Sequence, residues 1–247
     1  MVHDLSYETS TISIRDDLVA AHQRAWHRLA QPGTWWTGSQ RGASAAETRQ
    51  AVSCNLCEQR KAAISPNAVS GTHDHLGALP DPVIEVIHRV RTDASRLTAS
   101  WYHQVIDGGL SEAEYVETIG VIATMVAIDT FTDAMGMARH DLPSPVSGDP
   151  SRYRPQGAKP GMAWVPTLAP EDVTEADRAL YADLSGAHIH RALSLVPAEV
   201  LGFFDLDSVQ YLPDATLRDF GREYRAITHA QIELLAARVS VLNQCFY

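Results

Sequence analysis

Apolar residues recur at spacings of three and four along almost the whole chain, while alternating β-branched runs are scarce, and this periodicity predicts an all-α fold. Helices are expected over 16–30, 44–64, 81–107, 111–138, 171–184, 187–195, 208–226 and 228–242. Four of these regions carry a hydroxyl residue followed three positions later by an acid or amide: Ser44-Ala45-Ala46-Glu47, Ser111-Glu112-Ala113-Glu114, Thr174-Glu175-Ala176-Asp177 and Thr228-His229-Ala230-Gln231. The first, second and fourth read as capping boxes, in which the two side chains satisfy backbone N–H groups at a helix start; Asp177 makes a shorter variant.

Residues 141–170 hold seven prolines and three glycines, which neither a helix nor a central strand accommodates. The expected organisation is therefore an N-terminal helical half over 1–140, a Pro/Gly-rich linker over 141–170 and a C-terminal helical half over 171–247. Leu110-Ser111-x-Ala113-Glu114 aligns with Ile227-Thr228-x-Ala230-Gln231 at an offset of 117 residues, which suggests a weak internal repeat. In the first copy Asp129 stands near the place that Cys245 takes in the second, marking the first as degenerate.

Twenty Lys and Arg against thirty Asp and Glu give a net charge of −10, which disfavours nucleic acid as a partner. No apolar run is read as approaching the roughly 18 residues of a membrane span, and the first residues lack the basic and apolar regions of a signal peptide. The expectation is a cytoplasmic protein with no membrane partner. Three cysteines do not suggest a disulfide scaffold. No flavin, haem or nucleotide motif is present, so no cofactor is expected. The long apolar helices suggest a homo-oligomer.

The segment from Thr228 to Tyr247 contains Glu233 on an apolar helix, eleven intervening residues, and Cys245 flanked by Asn243 and Tyr247. It resembles the alkylhydroperoxidase D and carboxymuconolactone decarboxylase superfamily, whose signature is a glutamate followed at that spacing by C-x-x-C and a histidine. Looser similarity in Leu110–Gly136, and from Trp35-Trp36-Thr37-Gly38 to Ser65-Pro66, resembles a two-repeat subgroup that includes selenoproteins. The resemblance implies an alkylhydroperoxidase D-like helical bundle that reduces peroxides by thiol or selenol chemistry, with a dithiol or thioredoxin-like protein as electron donor. It casts Glu233 as proton relay and Cys245 as the resolving thiol. The sequence departs from the family pattern after Cys245-Phe246-Tyr247, where the second cysteine or selenocysteine and the histidine are missing. A UGA codon following Tyr247 is one expectation, with the present chain impaired. The alternative is a non-catalytic helical scaffold or small-molecule-binding protein.

Glu47-x6-Cys54-x-x-Cys57 is the other sequence of interest. If one helix continues through it, Glu47 and Cys54 share a face and Cys57 follows one turn on, in mid-helix and away from any N-terminal dipole. Arg60 and Lys61, three and four residues beyond Cys57, favour its thiolate. Cys54 and Cys57 are second-line redox residues on this reading, with simple packing as the bland alternative. A Cys2His2 zinc site completed by His73 and His75 is a third reading, and no metal is assigned. His88 and His103 are expected to be packed or solvated, and Trp35-Trp36 to line a pocket or anchor the N-terminal arm.

Overall fold

The computed structural model describes residues 5–245, and among these it is helical without a β-strand. The principal helices are α1 (Asp16–Ala30), α2 (Gly38–Gln50), α3 (Asn55–Ala62), α4 (Asp81–Asp93), α5 (Ala99–Asp107), α6 (Glu112–Ala134), α7 (His188–Arg191), α8 (Pro197–Gln210) and α9 (His229–Leu242). The all-α expectation holds.

Helix α6 is the axis of the bundle, with α1, α2, α4 and α8 packed around it. Its start is the expected capping box: Glu114 N–H donates to Ser111 Oγ while Ser111 N–H donates to the Glu114 carboxylate. Its end is a Schellman turn, in which Gly136 takes a positive φ of 68° and Met137 N–H donates to the Thr132 carbonyl. By length and apolarity alone α6 passes for a membrane span, contrary to the sequence reading, but it is mostly buried against its neighbours. Its interior threonines fit because Thr118, Thr124 and Thr132 each donate a hydroxyl to the carbonyl four residues back. The largest apolar cluster joins α4, α5 and α6 with Leu195 and Val196; a second joins α1 and α6 with Leu206 of α8.

Several expected boundaries move. The helix anticipated over 44–64 begins earlier, at a capping box formed by Thr37 and Gln40, so Ser44 and Glu47 lie inside α2 and face the core. It then stops at Gln50, turns through Ala51–Ser53 and restarts as α3. The 81–107 helix divides into α4 and α5. Thr174 caps no helix; its hydroxyl donates to Asp177 above a 3-10 segment, Glu175–Tyr181. Helix α8 spans mostly residues for which no helix is expected, and of the 208–226 expectation only the last turn of α8 and a 3-10 turn at Asp214–Thr216 are helical.

The Pro/Gly-rich segment is a strap rather than a spacer. Val146, Ser151 and Arg152 N–H groups donate to the carbonyls of Ala30, Gly33 and Thr34, and Val165 and Leu168 are buried. Because α8 beyond it packs on α1 and α6, the chain on both sides of the strap shares one core. Helix α9 differs from α6 despite their sequence likeness, since only His229 and Ile232 of α9 are buried and Leu234, Leu235, Val239, Val241 and Leu242 are exposed.

Four charged side chains meet between α1, α2, α6 and α8. Arg41 Nη1 donates to Glu117 Oε1 and Glu199 Oε1, both at 2.6 Å, and the Arg28 guanidinium is close enough to feel the charges of both Glu199 and Arg41. Trp35 N–H donates to the other Glu117 oxygen at 2.5 Å, which anchors the Trp35-Trp36 pair to the bundle. Three glycines make the room: a Cβ at Gly33 would collide with Glu117, at Gly120 with Glu199, and at Gly202 with Arg28. Gly120→Ala improves helix propensity yet presses on a carboxylate pinned by Arg41, so a net loss of about 1–3 kcal/mol is expected. Thermal unfolding checks this, and an unchanged or raised Tm would refute it.

Candidate dithiol and metal centre

The break after α2 is what builds the site. Cys54 has extended backbone (φ −76°, ψ 122°) and is the N-cap of α3, so Cys54-x-x-Cys57 opens a helix instead of lying in the middle of one. Both thiols therefore sit in the positive field of an N-terminus, correcting the mid-helix expectation. The cap is supplied from a distance: the Asp74 carboxylate accepts from Asn55 N–H at 2.7 Å and Asn55 Nδ2 at 2.9 Å. Asp74 N–H donates to Cys54 Sγ, Gln50 Nε2 donates to the Asp74 carbonyl, and Leu76 N–H donates to Glu47 Oε2. These bonds fasten the 73–76 loop across the start of α3.

Fastening the loop puts His73 within reach of both thiols, with Nδ1 at 3.5 Å from Cys54 Sγ and 3.5 Å from Cys57 Sγ. His88 of α4 lies beside His73, the ring centroids 4.2 Å apart, with its Nδ1 3.2 Å from Cys57 Sγ. The four donor atoms all lie within 4.8 Å of one another. Each imidazole has a carboxylate behind it: His73 Nε2 is 2.8 Å from Glu85 Oε2, and His88 Nε2 is 2.8 Å from Glu47 Oε1. Glu85 also accepts from Arg60 Nη1 at 2.9 Å and from Trp101 Nε1 at 2.9 Å. Cys54 and Cys57 are each 2% exposed, and beside them opens a cleft of about 390 Å³ rimmed by Val52, Glu58, Lys61 and Arg91.

The electrostatics follow from these contacts. Burial pushes the Cys54 thiol up, but the Cys57 N–H, His73 and the Asp74 N–H more than reverse this and leave it below the ordinary thiol range. Burial works against a charge on His73, yet its bonds to Cys57, Glu85 and Cys54 raise it to about 10. Glu85 is likewise opposed by burial and is brought down to about 2 by His73, Trp101 and Arg60. His88 goes the other way, lowered by burial against the pull of Glu47.

The remaining sequence-derived residues lie apart. Glu233 accepts from Tyr211 Oη at 2.6 Å and stands 3.3 Å from His229 Nε2. Helix α9 runs on unbroken to Leu242, which carries the chain about 14 Å beyond Glu233 before Cys245 is reached. Asn243 is the C-cap of α9, and Cys245 N–H closes a Schellman turn on the Ser240 carbonyl. Cys245 is exposed. The structure therefore does not join Glu233 to Cys245, and the chemistry-bearing cluster is at Cys54 and Cys57. Tyr247 lies outside the described residues. His75 is exposed and accepts from Gly77 N–H, so it is His88 that completes the set with His73. Asp129 forms a two-pronged ion pair with Arg49, both bonds 2.8 Å.

No protein-family model matches this chain, and comparison with curated proteins and with solved structures finds no match. His88 and Glu85 were missed as functional residues, although Glu85-x-x-His88 on one face of α4 was a readable signal for a helix presenting a carboxylate and an imidazole together.

Proposed function

We propose that Cys54 and Cys57 form a reactive dithiol and that the protein is a thiol-dependent peroxidase or disulfide-exchange protein. The observation that carries this reading is the buried chain Cys57 Sγ, His88 Nδ1, His88 Nε2, Glu47 Oε1, with separations of 3.2 Å and 2.8 Å at its two links. A thiol, an imidazole and a carboxylate in line can take a proton from sulfur and return it to a departing oxygen.

In the proposed reaction Cys57 attacks one peroxide oxygen and the O–O bond breaks. The thiol proton passes to His88 and then to the departing alkoxide, giving an alcohol and a Cys57 sulfenic acid. Cys54, whose thiolate is favoured at the α3 N-terminus, attacks that sulfur and forms a disulfide, with the sulfenic oxygen leaving as water. An external dithiol restores both thiols by exchange. Glu47 holds the imidazole and balances its charge. The cleft beside the cysteines gives a small peroxide its approach.

Peroxide-dependent consumption of dithiothreitol by the metal-free, reduced chain tests the proposal. Cys57→Ser is expected to abolish turnover, and His88→Gln to lower it on the order of 100-fold or more. Cys245→Ser is expected to leave the rate unchanged. Turnover that survives Cys57→Ser, or that is lost with Cys245→Ser, would place the chemistry elsewhere.

A further inference from the structure

We infer that the same four side chains, Cys54, Cys57, His73 and His88, constitute a tetrahedral binding site for Zn²⁺. The inference goes beyond the peroxidase reading and stands without it. Zinc with sulfur at about 2.3 Å and nitrogen at about 2.0–2.1 Å in a tetrahedron requires sulfur–nitrogen edges of about 3.6 Å. Three of the four sulfur–nitrogen edges are 3.5, 3.5 and 3.2 Å, and no pair of donor atoms exceeds 4.8 Å. Direct hydrogen bonding does not by itself call for two sulfurs and two ring nitrogens to converge on one point. A central cation does.

The surroundings agree with a metal. Both imidazoles turn Nδ1 inward and place Nε2 against a carboxylate, Glu85 for His73 and Glu47 for His88. That arrangement fixes the ring orientation and tautomer a metal-bound histidine needs. Two thiolates and two neutral imidazoles select a borderline-soft ion over magnesium or calcium. Four protein donors leave no open position, so the ion would hold structure instead of activating water. What it would hold is evident: the 73–76 loop is clamped to the start of α3 and to α4, which otherwise meet through a few hydrogen bonds and the small Cys54, Leu56, Cys57 cluster.

Occupancy and thiol chemistry exclude each other, because the zinc-bound thiolates are the ones that would attack a peroxide. Metal would guard the dithiol, and oxidation to the disulfide would remove two of the four ligands and release it.

The test is metal analysis of the full chain purified without chelator, followed by Co²⁺ loading of the chelator-treated, fully reduced protein. The expected result is about one zinc per chain, and with Co²⁺ the visible bands of a tetrahedral ion together with thiolate-to-cobalt charge transfer. Cys54→Ser and His73→Gln should each lose the zinc, whereas Cys245→Ser and His75→Gln should keep it. Glu47→Gln should weaken binding roughly 10- to 100-fold with all four ligands still present. Wild-type protein with its thiols counted as reduced that gives no charge-transfer band overturns the inference without recourse to any variant. So does zinc retention in Cys54→Ser. If zinc binds but the metal-free chain consumes no peroxide, the metal site stands and the peroxidase reading falls. The reverse pattern removes the metal site alone.

Discussion

Replacing Arg41 by Met is expected to cost about 3–5 kcal/mol, enough to unfold a large share of a marginally stable domain. The side chain is 1% exposed and one of its nitrogens serves two carboxylates that are themselves buried, Glu117 and Glu199, each at 2.6 Å. Methionine restores much of the volume, so the loss measures charge and not a cavity. Burial already raises the Glu117 carboxyl above the ordinary range, against the pull of Arg41 and with the push of Glu199. Without the cation, two carboxylates would face each other in the interior with only Arg28 at one side, and each must take up a proton or admit water. The triple variant Arg41→Met, Glu117→Leu, Glu199→Leu should recover most of the loss, because a buried ionic set replaced as a whole by apolar groups is often neutral or stabilising. Urea midpoints of the single and triple variants decide the matter. A single variant within about 1 kcal/mol of wild type would mean that the triad carries little of the fold's stability.

Acid should weaken the protein through His22 by about 3 kcal/mol between pH 6.5 and about 4. His22 is completely buried on α1, where Gln210 Nε2 donates to its Nε2 at 2.8 Å and its Nδ1–H then donates to Tyr7 Oη at 2.5 Å. Phe131 and Tyr7 stand edge-on to the ring. Burial, with a smaller contribution from His140, lowers its pKa from 6.5 to about 4. Between those values the unfolded chain binds the proton and the folded one does not, so stability is full above pH 6.5 and falls as the pH drops towards 4. His140, also lowered by burial, adds in the same direction. Asp207 opposes both: burial holds it up to about 6, so the folded state binds its proton first. His88, lowered by burial, adds to His22, and Glu117, raised by burial, joins Asp207 in opposing it, so the informative quantity is the difference between wild type and His22→Gln. That difference, from urea unfolding across the interval, should shrink by about 3 kcal/mol as pH falls. A difference independent of pH would refute the assignment to His22.

Much of the helical framework is legible in the sequence because its causes are local. Helices α1 and α9 occupy their expected ranges, and the boxes at Ser111 and Thr228 form because both partners sit within one turn. Helix α8 also had a local sign, Pro197 at its first position, where the missing N–H costs nothing. Ser44 and Glu47 misled. Their spacing fits a cap, but a stronger box at Thr37 and Gln40 starts the helix earlier and turns both residues inward.

What the sequence determined by itself was the all-α class, the chemical identity of the Cys54-x-x-Cys57 pair, and its pairing with Glu47 and a histidine of the 73–75 loop as a prospect. Tertiary structure decided where that pair stands and with what. Nothing in Ala51-Val52-Ser53 forbids a helix, and α2 ends there in a structure whose new N-terminus is satisfied by a carboxylate nineteen residues away, that of Asp74. His88 comes to Cys57 only because α4 packs beside α2 and α3, across thirty-one residues of chain. The C-terminal pair shows the converse: Glu233 and Cys245 have the right spacing, but a continuous helix of 1.5 Å rise per residue carries them apart. Short-range hydrogen bonds and side-chain periodicity are written into adjacent residues. Convergence of donors on one point depends on the packing of whole helices, which no spacing along the chain records.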